Sequence, residues 1–176
     1  MKLDGMRVAM LLAEGVEDLE YWVTLMRLRE EGARVTTVGL SLDTVRGKNA
    51  LSARADVLDT DVRADQFDAL VIPGGWAPDK LRRHATITDL VRQIHEAGKP
   101  IGIICHGGLV AISAGIVRGG RATGSLGIKD DLVNAGATWT DEPAFREGTH
   151  VWGRVVDDIP AFNRELIALF AEHHSA

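Results

Sequence analysis

The sequence predicts a doubly wound α/β sandwich of three layers, with a mostly parallel sheet in flavodoxin-like order and residues 1–176 in one domain. Two observations predict this fold. Short runs rich in apolar and β-branched residues alternate with segments in which apolar residues recur at helical spacing. With 176 residues, of which 45% are hydrophobic and 26% charged, the chain can also bury one full core.

The first βαβ unit lies near the amino end. Arg7–Leu12 is a short apolar run that ends before Gly15, and it indicates a buried strand. Asp18–Glu31 then carries apolar residues at roughly helical spacing and stops at Gly32. Arg34–Leu40 is short and β-branched, which indicates a second strand. Two strands joined through a helix in so short a stretch are typical of a parallel sheet.

The alternation continues after a polar interval. Thr44–Val62 is mixed in composition and broken by glycine, which indicates a small hairpin or loop beside the sheet. Asp68–Ile72 reads as a buried strand that runs into the glycine pair Gly74-Gly75. Ile87–Ala97 has the spacing of a helix.

A sharp strand-to-helix joint is predicted around the single cysteine. Ile101–Ile104 is an apolar strand and Leu109–Ala114 starts a helix, so that Cys105 lies between them. This geometry is that of a nucleophile elbow, which presents one side chain above the sheet from a strained backbone. Gly107 and Gly108 leave room for the turn. We therefore expect Cys105 to be an exposed nucleophile and not a core side chain.

The carboxyl-terminal third completes the pattern. Helices are predicted over Lys129–Ala135 and Ile159–His173, and strands over Ala137–Thr140 and His150–Val155. Pro160 lies in the first turn of the last helix, where proline is well tolerated.

Charge and cysteine content exclude several classes of protein. The net charge of -5 gives no basic field for a nucleic acid or an anionic membrane, so neither is expected as a partner. Pro100–Val117 lacks a formal charge for 18 residues, but its internal glycine pair argues against a membrane span. One cysteine cannot form an internal disulfide and no export signal is apparent, so a cytoplasmic location is expected.

A reactive thiol at Cys105 needs help from its surroundings. An ordinary thiol, with a pKa of about 8.5, is only a few percent thiolate at neutral pH, and a helix amino terminus alone is too weak to change that. The candidate second donors are His106, the backbone N–H groups after Gly74, and Glu17 as a carboxylic acid. Each also has a plainer interpretation: a loop histidine, a simple Gly74-Gly75 turn, and a carboxylate favoured at a helix start. The other histidines lack ligand partners at metal spacing, so no metal or cofactor is predicted.

Five separated segments carry a family resemblance. They are AEGVEDLE (13–20), LVIPGGWAPD (70–79), GKPIGIICHGG (98–108), VAISAG (110–115) and GIKDDLVNAGATW (127–139). Together they resemble the PfpI family of intracellular proteases, a branch of the class I glutamine amidotransferase-like superfamily related to the parkinsonism-associated deglycase. The resemblance covers nearly the whole chain in order.

The resemblance implies roles for individual residues. Cys105 would be the nucleophile, His106 its neighbouring base and Glu17 the acid that hydrogen bonds the thiolate, with an oxyanion site near Gly75 and the His106 amide. In such proteases a glutamate from a neighbouring subunit completes a triad, which implies a homodimer or larger homo-oligomer. This chain has the shorter Asp79 at that position.

Three departures from the family pattern bear on the activity. Asp79 stands for a glutamate, Ser125 for a tyrosine near the nucleophile, and Gly108 for a proline. They leave the nucleophile intact but weaken the case for peptide hydrolysis. We expect a stress-associated cysteine hydrolase of the PfpI type that acts on small carbonyl, acyl or peptide substrates, possessing glyoxalase-like or deglycase-like activity, with Gly74, Gly75 and Ser125 binding substrate. The alternative is a non-catalytic redox sensor or chaperone that uses the same thiol.

Overall fold

A computed structural model describes residues 1–176 and shows three layers, with helices on both faces of a seven-stranded sheet. The strands are β1 (Arg7–Leu12), β2 (Arg34–Gly39), β3 (Val45–Arg46), β4 (Ser52–Ala53), β5 (Val57–Leu58), β6 (Ala69–Ile72), β7 (Ile101–Ile104), β8 (Arg121–Ala122), β9 (Thr138–Trp139), β10 (Ala144–Glu147) and β11 (His150–Gly153). The helices are α1 (Asp18–Glu30), α2 (Ala77–Leu81), α3 (Ala85–Glu96), α4 (Gly108–Ala114), α5 (Lys129–Asn134) and α6 (Ile159–His174).

The main sheet has the order β10-β11-β7-β6-β1-β2-β5. Its five central strands, numbered along the chain, stand in the order 2-1-3-4-5 and are all parallel. This is the flavodoxin-like order, so the predicted fold class is confirmed. The edge strand β10 runs antiparallel to β11, whereas β5 adds a parallel edge beside β2.

Burial explains why the central strands are continuous apolar runs. Every residue of β6 and β7 is buried, as expected for parallel strands covered on both faces. Helices α1 and α6 pack together on one face, and α2, α3 and α4 pack together on the other. Helix α3 shows the matching pattern, because its buried residues recur at helical spacing: Ile87, Leu90, Val91 and Ile94.

Most predicted elements are present within a few residues of their expected ends. The predicted hairpin in Thr44–Val62 is the antiparallel pair β3 and β4, although β5 in the same interval was not predicted. Helix α2 and strand β10, which have only five and four residues, were not predicted either. Elements this short contain too few residues to show a hydrophobic period.

No helix of the structure is both long enough and apolar enough to cross a membrane.

Candidate active site

The site lies where the loops after β1, β6 and β7 meet at the carboxyl edge of the sheet. An isolated antiparallel bridge between Val16 and Gly75 joins the first two of these loops. The N–H of Glu17 also donates to the Gly74 carbonyl at 3.1 Å. An open cavity of about 260 Å³ is lined by these loops, with Cys105 among its lining residues. The volume is slightly below the range usual for drug-sized ligands, so the cavity suits a small substrate.

Cys105 occupies the predicted elbow. It follows β7 directly, has φ +58, and starts a short 3-10 turn over Cys105–Gly107 that leads into α4. A positive φ at a residue with a side chain costs about 1–3 kcal/mol, a strain that is typical of functional sites. The thiol is less accessible than expected, since Cys105 is only 9% exposed. The expectation of an exposed nucleophile is therefore wrong: the elbow aims the thiol at the cavity while neighbouring loops cover it.

Three groups close to the sulfur bear on its ionisation. The backbone N–H groups of Gly75 and His106 hydrogen bond the Cys105 sulfur and favour its thiolate form. The His106 ring Nδ1 lies 3.4 Å from the sulfur. Burial, followed by the charge of Glu20, opposes them and raises the pKa of Cys105 to about 12.

Glu20 is the carboxyl group beside the thiol. It lies in the first turn of α1 and is fully buried, and its Oε2 accepts a hydrogen bond from the Gly74 N–H at 2.7 Å. Its Oε1 is buried without a conventional partner, and the carboxyl is within hydrogen-bonding reach of the Cys105 sulfur. Burial, the largest cause, raises the pKa of Glu20 to about 7. Glu20 can therefore be a carboxylic acid or a carboxylate near neutral pH.

The Glu17 carboxylate was predicted to contact the thiol, but it has other hydrogen-bond partners. It is the N-cap of α1, and its Oε2 accepts from the N–H groups of Leu19 at 2.8 Å and Glu20 at 3.0 Å. Its Oε1 accepts from Asn49 Nδ2 at 3.0 Å. The prediction that Glu17 hydrogen bonds the thiol is thus wrong, because helix capping occupies its carboxylate. The residue one turn later, Glu20, is the one that faces Cys105.

Gly74 has a packing role in this arrangement. A Cβ atom on Gly74 would lie 2.6 Å from Glu20 Oε2, 2.8 Å from Cys105 Cβ and 2.9 Å from the His106 nitrogen. Only glycine lets the three groups approach so closely. The next residue, Gly75, has φ +77, which turns the chain so that its N–H faces the sulfur. Their predicted part in substrate binding stays a prediction.

Of the two other predicted site residues, Ser125 lines the cavity and Asp79 does not. Ser125 lines the cavity, and its Oγ accepts a hydrogen bond from the Gly127 N–H at 3.4 Å. Asp79 is on α2, outside the cavity of its own chain, where it pairs with Arg83. Its predicted contribution requires a second copy of the chain and stays a prediction.

Electrostatics favour a neutral His106. Burial, and then the charge of Lys48, lower the pKa of His106 below its ordinary value. A neutral imidazole beside the sulfur can accept a proton. Together with Glu20, the site therefore offers a thiol, a carboxyl group with a pKa near neutrality and a neutral base.

Sequence reasoning missed several residues that line the cavity. Lys48 reaches it from the turn between β3 and β4, Trp76 follows the glycine pair, and Val155 and Asp157 precede α6. No local motif marks them, because they meet only through the tertiary fold. The Trp76 side chain is 61% exposed, and the backbone N–H of this residue donates to the Gly15 carbonyl at 2.8 Å. It gives the cavity an apolar rim.

Known proteins are similar to this chain in sequence and in fold. The chain is 39% identical over 164 residues to a protein from Pyrococcus abyssi named as a deglycase, a match that covers 93% of this chain and 99% of the relative. It is 37% identical over 168 residues to General stress protein 18 of Bacillus subtilis, covering 94% and 98%. A crystal structure from Anabaena variabilis, with DJ-1/ThiJ/PfpI-like and ferritin-like domains, matches with a TM-score of 0.91 and 36% identity; the match covers 93% of this chain and 47% of that chain.

The matched residues extend over almost all of the structure described above. Residues 6–169, which include the elbow and all three loops around it, match the DJ-1/PfpI family. The resemblance inferred from the five sequence segments is confirmed by this match. The chain therefore belongs to the DJ-1/PfpI family.

Proposed function

We propose that this protein is a cysteine-dependent enzyme that converts small electrophilic carbonyl compounds, with α-oxoaldehydes such as methylglyoxal as its substrate class. The observation that carries the proposal is the buried pair of Cys105 and Glu20, held at the base of an open cavity. The deglycase and stress-protein names of the relatives support it. In this setting the enzyme would remove reactive aldehydes or the adducts that they form.

The pair can deliver a nucleophile without carrying two charges. Two buried acidic groups in contact cannot both ionise easily, so Cys105 and Glu20 together hold one negative charge near neutral pH. That charge can be a carboxylate beside a thiol or a thiolate beside a carboxylic acid. In the second form Glu20 donates to the sulfur, and the N–H groups of Gly75 and His106 add further stabilisation.

The proposed reaction begins with attack of the Cys105 sulfur on the aldehyde carbon. A carbon–sulfur bond forms, the carbonyl π bond opens onto oxygen, and that oxygen takes up a proton to give a hemithioacetal. Neutral His106 then accepts the proton from this carbon, and a proton is returned to the neighbouring carbon, which yields a thioester. Water cleaves the thioester and restores the thiol. Methylglyoxal and water thus give lactate with no net oxidation.

Peptide hydrolysis fits the same site less well. Asp79, the residue expected to complete a protease-like triad, lies outside the cavity of its own chain and is paired with Arg83. Ser125 lines the cavity without the ring that the protease pattern places there. Redox sensing fits less well too, because it needs a thiol that an oxidant can reach, whereas Cys105 is only 9% exposed.

A comparison of wild type with Cys105→Ser tests the proposal. Methylglyoxal consumption and lactate formation by the wild type should fall at least about 1,000-fold in the variant, because the nucleophile is removed. A fluorogenic peptide assayed in parallel should be cleaved far more slowly than methylglyoxal is consumed. Circular dichroism of both proteins controls for folding. If folded wild type forms no lactate, or if Cys105→Ser forms it at the same rate, the proposal is wrong.

A further inference from the structure

Trp76 is an exposed aromatic residue at the rim of the cavity. Its side chain is 61% exposed, whereas every other phenylalanine, tyrosine and tryptophan of the chain is buried or half-buried. A large apolar side chain left in water is typical of a binding surface, and tryptophan is among the residues that contribute most to binding energy. Because Trp76 lines the same cavity as Cys105, its ring lies where a substrate would meet it.

The position of Trp76 is fixed by the loop after β1. Its backbone N–H donates to the Gly15 carbonyl at 2.8 Å, and the residue before it, Gly75, forms the bridge to Val16. The indole also lies against Gly15, since a Cβ atom on Gly15 would come within 3.0 Å of Trp76 Cβ and 3.2 Å of Trp76 Cε3. The ring is thus held on one side, which limits the freedom that it loses when a ligand binds.

Two valines add apolar surface to the same cavity. Val155 and Val156, which precede α6, line it together with Trp76. Ser125 lines it too, and its short side chain leaves space where the protease pattern places a tyrosine ring. The cavity of about 260 Å³ therefore combines apolar surface with room for a substituent larger than a methyl group.

The charged groups of the cavity do not favour a charged substituent. Three carboxyl groups line it against a single lysine, so an anion gains no net attraction. The Glu17 carboxylate accepts three hydrogen bonds at the start of α1, and Glu20 shares its proton with the thiol, so neither is free to bind a cation. Asp157 is exposed to water, which screens its charge. What the cavity offers a substituent is apolar contact with Trp76.

We propose that Trp76 is a specificity-determining residue that packs against the substituent of the substrate, so that the site prefers α-oxoaldehydes with an aromatic substituent over methylglyoxal. The inference rests on the proposed carbonyl chemistry of Cys105 and names a narrower substrate class for it. Phenylglyoxal, in which a phenyl ring replaces the methyl group of methylglyoxal, is the probe. Its ring would stack on the indole or meet it edge to face while the aldehyde carbon reaches the sulfur.

Phenylglyoxal can complete the proposed reaction because it keeps a ketone beside the aldehyde. The sulfur bonds to the aldehyde carbon and gives a hemithioacetal. His106 accepts the proton from this carbon, and the ketone carbon receives a proton while its oxygen becomes a hydroxyl group. The hemithioacetal hydroxyl loses its proton and becomes the carbonyl of a thioester, which water cleaves. Phenylglyoxal and water thus give mandelic acid, with no external oxidant or reductant.

Steady-state kinetics with the two aldehydes test the inference. We would measure kcat/KM for phenylglyoxal and for methylglyoxal with wild type, Trp76→Ala, Trp76→Phe and Met26→Ala. Met26 is the matched control, because it is also 61% exposed but lies on α1 and does not line the cavity. In Trp76→Ala the ratio of phenylglyoxal to methylglyoxal should fall about 10-fold or more, mainly through KM, because the aromatic contact is lost. Trp76→Phe should keep most of the ratio, and Met26→Ala should not change it.

The folded state and the product are checked for each variant. Circular dichroism measures folding, and size-exclusion chromatography measures oligomeric state. Detection of mandelate separates turnover from the adducts that phenylglyoxal forms with arginine side chains. An unchanged ratio in folded Trp76→Ala overturns the inference and leaves the carbonyl chemistry intact. A fall in the ratio that accompanies a change in oligomeric state assigns Trp76 to a subunit contact and overturns the inference as well.

A binding measurement without turnover separates the two proposals. In the Cys105→Ala background, NMR titration compares diacetyl with the diketone in which a phenyl ring replaces one of its methyl groups. The aromatic diketone should bind about 10-fold more tightly, and adding Trp76→Ala should abolish most of this preference. If the wild type converts neither aldehyde but the preference depends on Trp76, the carbonyl chemistry fails and the Trp76 assignment stands. If the two diketones bind equally, or if Trp76→Ala leaves their difference unchanged, the Trp76 assignment fails whatever the kinetics show.

Discussion

The polar groups at the two ends of the parallel sheet differ in how fully they are paired. At the amino end, Arg7 and Asp68 share three hydrogen bonds, and His150 pairs with His95 at 2.9 Å. At the carboxyl end, Cys105 has a strained backbone, and one oxygen of Glu20 is buried without a conventional partner. One end satisfies its polar groups, whereas the other leaves them able to react.

The strained and unpaired groups at the carboxyl end lower the stability of the fold, whereas the paired groups at the amino end do not. Polar groups that are fully paired stabilise the strand starts and have no capacity left for chemistry. Groups that are strained or under-satisfied persist where function needs them, and the sheet beneath supplies the stability that tolerates them. Substitutions at the carboxyl end should therefore change activity, while those at the amino end should change stability.

The largest expected effect at the carboxyl end is that of Glu20→Gln. We expect kcat/KM for methylglyoxal to fall about 100- to 1,000-fold, because the partner that shares the Cys105 proton is lost. Wild-type activity should rise with pH through about 7, the pKa of Glu20, as the pair loses its first proton. In Glu20→Gln this rise should move more than about one pH unit higher, since the thiol must then ionise alone.

Glu17→Gln is the matched control for that experiment. It alters the neighbouring carboxylate one turn earlier, which caps α1 and does not contact the thiol. Its activity should fall less than about 10-fold and its pH profile should keep the wild-type midpoint, while stability drops by about 1 kcal/mol. If the two variants lose the same activity, the assignment of Glu20 as the partner of Cys105 is wrong.

A smaller effect is expected from acid at the opposite end. Burial, followed by the charge of His95, lowers the pKa of His150 to about 4. The unfolded histidine titrates near pH 6.5, so its contribution to stability is present above that pH and is lost as the pH falls towards 4. The loss should reach about 3 kcal/mol, since about 2.5 pKa units separate the two states. Urea unfolding between pH 7.5 and 4 measures it.

His150→Phe shows whether this group is the cause. The variant keeps a ring in the buried site but cannot take up a proton, so its free energy of unfolding should fall less steeply below pH 6.5. Methylglyoxal activity at pH 7.5 should change little, because His150 lies at the start of β11, away from the cavity. An equal slope in both proteins would refute the role given to His150.

The smallest effect is expected for Asp68→Asn. Its partner Arg7 lowers the pKa of Asp68, mainly through the side-chain hydrogen bond. Because the Asp68 side chain is 32% exposed, solvent weakens the pair, and the free energy of unfolding should fall by only about 1 kcal/mol. Thermal unfolding near pH 7 measures this loss. A drop in activity without a drop in stability would contradict the division between the two ends.

Local sequence signals were sufficient for the five central strands of the sheet and for the elbow. Apolar runs located β1 and β7 with the correct ends, and a cysteine followed by a histidine and two glycines located the strained turn. Both signals are local, since a strand and a tight turn are specified within a few residues. The same alternation of strands and helices predicted a parallel sheet, for which the flavodoxin-like order is one of the two common orders.

The partners of Cys105 were beyond the reach of local signals. Glu17 and Glu20 lie one turn apart on α1, and either could face the sulfur until capping assigns Glu17 to the helix end. Lys48 reaches the cavity from a hairpin whose position depends on a hydrogen bond between Asn49 and Asp18, which are 31 residues apart in the chain. Asp79 pairs with Arg83 outside the cavity of its own chain, so its predicted contribution depends on a second copy.

Cys105 is the only cysteine among the 176 residues, so any thiol reagent bound to the protein reports on this one site. Iodoacetamide, read as a single mass increment per chain, would label the buried thiol of a folded copy and the exposed thiol of an unfolded copy at different rates, so the two phases would report the fraction of copies whose elbow is correctly formed. Reagents of graded size would then measure the width of the passage to the sulfur. The labelled fraction therefore gives the concentration of active sites in each preparation. Rates of different variants can be expressed per active site.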